Sequence, residues 1–180
     1  VDFTKRITPD FGLGFGASWL RLEPRGGARQ QGFDNLALNA KYQLFKSDAR
    51  ETIISVGVDA DIGGSGARRV GAESFSTITP ALFFGKGFGD LPDELRFLRP
   101  LALTGSAGVG IPTRASSSSV DDDGNAVLER HPHVLQLGFA LEYSMPYLQA
   151  FVKDVGLPRW LQRAVPIVEF AFEKPLDRGK

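Results

Sequence analysis

Residues 36–44 constrain the fold most: Leu36, Leu38, Ala40, Tyr42 and Leu44 alternate with Ala37, Asn39, Lys41 and Gln43. A period of two places apolar and polar side chains on opposite faces of an extended strand, whereas an amphipathic helix needs a period of 3.6. The next stretch repeats the pattern, with Ile54, Val56, Val58, Ala60 and Ile62 on one face and Ser55, Gly57, Asp59 and Asp61 on the other. Two carboxylates two residues apart cannot both enter a dry core, so the second face must be wet. Leu135, Leu137, Phe139, Leu141 and Tyr143, against Gln136, Gly138, Ala140, Glu142 and Ser144, form a third such strand. Leu101, Leu103, Ala107, Val109 and Ile111, against Ala102, Thr104, Ser106, Gly108 and Gly110, form a fourth.

Less regular strand-like segments at 1–8, 11–23, 75–88 and 165–174 bring the expected count to about eight. Each is long enough, at roughly 9–11 residues, to cross a bilayer at a tilt, while soluble strands average roughly five to six. The 21 glycines and 14 phenylalanines, with a single methionine, favour sheet over helix. No apolar run approaches the roughly 18 residues of a membrane-spanning helix. If the chain crosses a membrane, strands must do it.

The connections give an independent reading, because outer-membrane barrels alternate long external loops with short periplasmic turns. Pro9-Asp10 and residues 46–50 are short, whereas 24–32, 63–74 and 113–132 are long, rich in glycine, serine or charge, and fall on one side by parity. Two connections on the short-turn side, 89–100 and 148–162, are nevertheless long. Each contains a proline followed by helical spacing, around Pro92 and around Pro158, which predicts a short proline-started helix in each. Trp19, Tyr42, Phe45, Tyr143, Tyr147 and Trp160 lie near expected strand ends, as interfacial aromatics do.

Lysine plus arginine equals aspartate plus glutamate at 21 each, so no net field draws the chain to nucleic acid. The absence of cysteine removes disulfides, thiolate metal sites and cysteine nucleophiles. Gly12-Leu13-Gly14-Phe15-Gly16-Ala17 overlaps a dinucleotide-loop pattern, but that loop must open a helix and these glycines fall within a strand. Thr104-Gly105-Ser106-Ala107-Gly108 lacks the first glycine of a nucleophile elbow, which leaves Ser106 as a wet-face strand residue. Asp121-Asp122-Asp123-Gly124-Asn125 has its glycine one place early for a calcium loop and no closing glutamate. In His131-Pro132-His133 the proline holds the imidazoles extended and pointing apart. No catalytic residue, metal or cofactor is therefore expected.

The polar residues that would govern a barrel interior are Asn39, Lys41, Gln43, Asp59, Asp61, Gln136 and Glu142. They could line an open lumen or pair to fill a narrow one. The strand order favours a cross-strand pair between Lys41 and Asp59 or Asp61.

Three stretches carry a resemblance to a known group. They are Gly32-Phe33-Asp34-Asn35-Leu36-Ala37-Leu38-Asn39-Ala40-Lys41-Tyr42, then Leu98-Arg99-Pro100-Leu101-Ala102-Leu103-Thr104-Gly105, and the run from Tyr147-Leu148-Gln149 through Val152-Lys153-Asp154-Val155-Gly156-Leu157-Pro158 to Pro166-Ile167-Val168-Glu169-Phe170. In them the chain resembles the outer-membrane proteins related to those encoded with meta-pathway phenol degradation. The resemblance implies passage of small hydrophobic or aromatic compounds, through a barrel with more strands than are counted here. Asp177-Arg178-Gly179-Lys180 is not the terminal aromatic strand expected of a complete barrel, and no charged-then-apolar signal segment follows Val1, so an export signal would lie outside residues 1–180. The expectation is thus an all-β, antiparallel up-and-down transmembrane β-barrel domain over 1–180, or a section of a larger one. It would sit in the bacterial outer membrane, contact lipid and act as a channel or transporter rather than an enzyme. The alternatives are an adhesive barrel with a plugged lumen, using the loop 113–132, and a soluble lipid-binding barrel with its apolar face inward.

Overall fold

The computed structural model of this chain describes residues 1–23, 27–120 and 125–177. Its strands are β1 (Asp2–Arg6), β2 (Phe11–Gly16), β3 (Trp19–Leu22), β4 (Gln30–Phe33), β5 (Leu36–Ser47) and β6 (Thr52–Ile62), followed by β7 (Thr77–Gly87), β8 (Leu101–Pro112), β9 (Ser116–Val120), β10 (Ala126–Arg130), β11 (Val134–Tyr143) and β12 (Ile167–Pro175). Eight of them make one sheet in the order β1-β2-β5-β6-β7-β8-β11-β12, antiparallel at every step. This is an up-and-down meander, and its strand number matches the sequence pattern. The pairs β3–β4 and β9–β10 are separate hairpins in the connections after β2 and β8.

Register explains why the alternation is so regular. Asn39 faces Asp59, which faces Thr79; Lys41 faces Gly57, which faces Ala81. Further along, Ser106 faces Gly138, which faces Ala171. Directly paired residues share a face of a sheet, so polar and small residues fall on one face from β1 to β12, with Ile53, Phe83 and Ile167 among them. Phe15, Leu38, Val58, Leu82, Leu141 and Phe170 fall on the other. A bulge at Leu44 shifts the register between Gln43 and Phe45, placing Phe45 opposite Ile54 and returning Lys46 to the polar face.

Neither face is covered by a second layer. The accessible surface is 12648 Å², against about 8,500 Å² for a compact soluble protein of 19.5 kDa. Among the described residues the buried apolar side chains are Val70, Ala72, Phe75 and Leu148, and all four lie in connections rather than in the sheet. Phe3, Phe15, Leu38, Phe139 and Phe170 stand exposed on the apolar face.

Three sequence expectations are corrected. Residues 11–23 are not one strand: after β2 the Ala17 amide donates to the Val1 carbonyl, and the chain turns into the β3–β4 hairpin. Trp19 therefore belongs to that hairpin, edge-on to Phe33 at 4.7 Å, and not to an end of the main sheet. The helical turn after Pro92 is present at Asp93–Leu98, but residues around Pro158 form a single turn. The helix of that connection lies earlier, at α1 (Met145–Tyr147), and widens through Leu148–Val152. Ser144 caps it, its Oγ accepting from the Tyr147 amide at 3.2 Å, with Pro146 in the first turn.

Among the described residues the sheet does not close: no ladder joins β1 to β12, and every residue of both edge strands is exposed.

Candidate functional site: the polar face

Each strand contributes to the polar face through alternate residues, and the sheet curls around it. A cavity of about 810 Å³ opens there, bordered by Arg6 on β1, Lys41 and Gln43 on β5, Ser55 on β6, Ser106 on β8 and Glu169 on β12. In a flat sheet the first and eighth strands would lie roughly 33 Å apart. A single cavity about 12 Å across, if spherical, borders both, so the edges bend toward each other with the polar face concave.

At its centre Lys41 Nζ sits 3.9 Å from the centroid of the Phe83 ring. Gly57 makes this possible, because it lies opposite Lys41 and leaves the ring room to lean over the strand. A Cβ at Gly57 would come within 3.1 Å of Phe83 Cε2 and 2.8 Å of the Ala40 carbonyl oxygen. The ammonium thus rests on the negative face of the ring. The expected ion pair is not formed: among the described residues Lys41 makes no salt bridge with Asp59 or Asp61. Register gives the reason, since Lys41 faces Gly57 while Asp59 faces Asn39 and Asp61 faces Ala37.

The other anticipated residues are placed as follows. Gln43 Nε2 donates to Asp10 Oδ1 at 3.2 Å, tying β5 to the turn before β2. Gln136 Nε2 is 3.5 Å from Glu173 Oε1 on β12, and Glu142 lies opposite Ile167. The face is divided along its length. Asp2, Asp59, Asp61 and Glu173 occupy the end carrying the hairpins, while Arg6, Lys41 and Lys46 occupy the other half, with Glu142 and Glu169 across from them. Arg6, Ser55, Phe83 and Glu169 were not singled out from sequence. Continuing the alternation into β1 and β12 identifies Arg6 and Glu169. Phe83 hides in the doublet Phe83-Phe84, and its register partners Ser55 and Ser106 show which phenylalanine faces inward.

The hairpin end is built over a small packed cluster. Phe75 stacks on the His131 ring with centroids 3.9 Å apart, and His131 Nε2 bonds to Ser117 Oγ at 2.9 Å. Buried Asn35 receives the Gly66 amide on its Oδ1 and donates from Nδ2 to the Glu73 carbonyl, each at 3.0 Å. Arg69 Nε donates to the Gln31 carbonyl at 2.6 Å. The connection 63–76 is thereby fastened to β4 and to the segment after β10. His133 pairs instead with Asp177 beyond β12, so the two imidazoles have different partners. Of the acidic run Asp121 to Asn125, residues 121–124 lie outside the described residues.

The opposite end carries the turns. Glu51 accepts the Gly89 amide at 2.8 Å, and Lys86 bridges the Arg50 carbonyl and Asp90 at 2.6 and 2.8 Å. The Lys86 hydrogen bond holds the Asp90 carboxyl below its ordinary range. Tyr143 donates to the Phe97 carbonyl at 2.9 Å, and Tyr147 packs against Phe151 at 5.0 Å. Tyr42, Phe45, Tyr143, Tyr147 and Trp160 all lie in the half of the structure toward this end, with Trp19 and Phe33 at the hairpin end. No helix among the described residues is long and apolar enough to cross a membrane. No protein-family model, curated protein or solved structure matches this chain.

Proposed function

We propose that this chain forms the wall of a bacterial outer-membrane channel or transporter, with lipid against the apolar face and an aqueous lumen on the polar one. One observation carries the reading: eight contiguous antiparallel strands expose a predominantly apolar face, interrupted by Lys5, Lys86 and Lys174, while their opposite faces border one cavity. An exposed apolar surface of this extent is stable only against another apolar medium. The strands from β5 to β12 in the sheet are 9 to 12 residues long, enough to cross a bilayer. A soluble barrel carrying lipid inside would need its apolar face concave, and the concave face here is polar.

The cargo we propose is a small compound with hydrophobic or aromatic character. Phe83 and Ile53 give the cavity apolar wall beside Lys41, Gln43 and Ser55, so a planar solute meets both a ring and polar partners. Neutralising Lys41, Asp59 or Asp61 is expected to change single-channel conductance or solute uptake in reconstituted vesicles. Conductance and uptake that stay unchanged in all three variants would remove these residues from the pathway.

A further inference from the structure

The connection between β11 and β12 carries a second hollow, of about 570 Å³, lined by Arg159, Trp160, Gln162 and Arg163. Pro158 starts the turn that shapes it, its carbonyl accepting from the Leu161 amide at 2.9 Å and the Gln162 amide at 3.0 Å. Arg159 and Arg163 line the same hollow, where like charges repel. Both are exposed, and neither makes a salt bridge among the described residues. Two unneutralised guanidiniums around a hollow are the arrangement that a bound anion resolves, and the planar fork of arginine suits a phosphate.

Trp160 lies between them and is 76% exposed, and Phe151 on the same connection is 73% exposed. A tryptophan so exposed gains nothing from water, but suits the boundary between headgroups and acyl chains. The turn follows β11 just past the end where Tyr143 lies, so in the membrane reading it stands at headgroup depth.

We propose that Arg159 and Arg163 clamp the phosphate of an anionic phospholipid headgroup, with Trp160 inserted beside the acyl chains. This rests on the proposed membrane placement and extends it to a specific lipid site.

The test uses the full chain reconstituted in vesicles that mix zwitterionic and anionic phospholipid, with bromine on the acyl chains of one or the other. Trp19→Phe leaves Trp160 as the sole indole. Brominated phosphatidylglycerol is expected to quench Trp160 more than brominated phosphatidylcholine at equal mole fraction. The underlying enrichment should be about fivefold per arginine, lost in Arg159→Gln/Arg163→Gln and reduced in Arg159→Lys/Arg163→Lys, which keep the charge but not the fork. Equal quenching by both lipids would overturn the proposal, leaving Trp160 an unspecific anchor. A preference abolished by millimolar inorganic phosphate would overturn it in favour of a soluble anion. A parallel variant with tryptophan only at the apolar face, Phe139→Trp in a Trp19→Phe/Trp160→Phe background, separates the two readings. If it is quenched while Trp160 shows no lipid preference, the clamp fails and the membrane placement stands. If it is not quenched, both fall.

Discussion

Asn35 shows how much of the hairpin end depends on single side chains. It is buried, and its amide serves a donor and an acceptor of the 63–76 connection at once. Asn35→Ala would strand both partners, at a cost of about 1–3 kcal/mol. We expect a lower urea midpoint in micelles and faster trypsin cleavage at Arg68 and Arg69, which that connection carries. An unchanged midpoint and cleavage rate would show that the connection is held by other contacts. Lys41 illustrates what sequence can and cannot supply at this scale. Its place on the wet face follows from alternation alone, but its partner does not. Register sets it opposite Gly57, and the space that glycine leaves goes to Phe83, a residue that composition assigns to the greasy side.

At the scale of the element, β11 offers the sharpest contrast, because its two faces face different surroundings in every residue pair. Phe139 stands on the apolar face and Gln136 on the polar one. Phe139→Arg is expected to destabilise the protein in lipid vesicles by roughly 2–4 kcal/mol if the site is near mid-bilayer. Gln136→Arg should cost far less, and equal costs in equilibrium unfolding would count against a lipid-facing surface. The long strands β5, β6, β8 and β11 were legible in the sequence because each is apolar on one face only, and the period of two holds throughout, in β5 as far as the bulge at Leu44. The strand expected at 11–23 was not: Ala17-Ser18 has no proline to mark the break, Ala17 still pairs with Val1 as the last rung of the β1–β2 ladder, and the chain leaves the sheet only after it. The helix in the last connection was placed too late for a comparable reason. Pro158 and Pro146 both fit a helix start, and only Ser144-Met145-Pro146 adds a capping hydroxyl before the proline.

For the whole molecule, the missing apolar core is the main energetic fact. With both faces of the sheet open, stability rests on backbone ladders together with whatever medium covers Phe15, Leu38, Val58, Leu82 and Phe170. The open edges at β1 and β12 leave backbone donors and acceptors without strand partners, a state that membranes penalise strongly. β1 runs from the hairpin end toward the turn end and β12 runs back, so a neighbouring strand can extend the meander antiparallel at either edge.

If lipid lies on one face of the sheet and water on the other, single cysteines report it directly, because the sequence has none of its own. Single cysteines would replace Gln136, Leu137, Gly138, Phe139, Ala140 and Leu141 in turn, and each variant, inserted in vesicles, would be treated with a water-soluble maleimide. Labelling is expected at Gln136, Gly138 and Ala140, and protection at Leu137, Phe139 and Leu141. Uniform labelling, or protection of the polar positions instead, would contradict that arrangement.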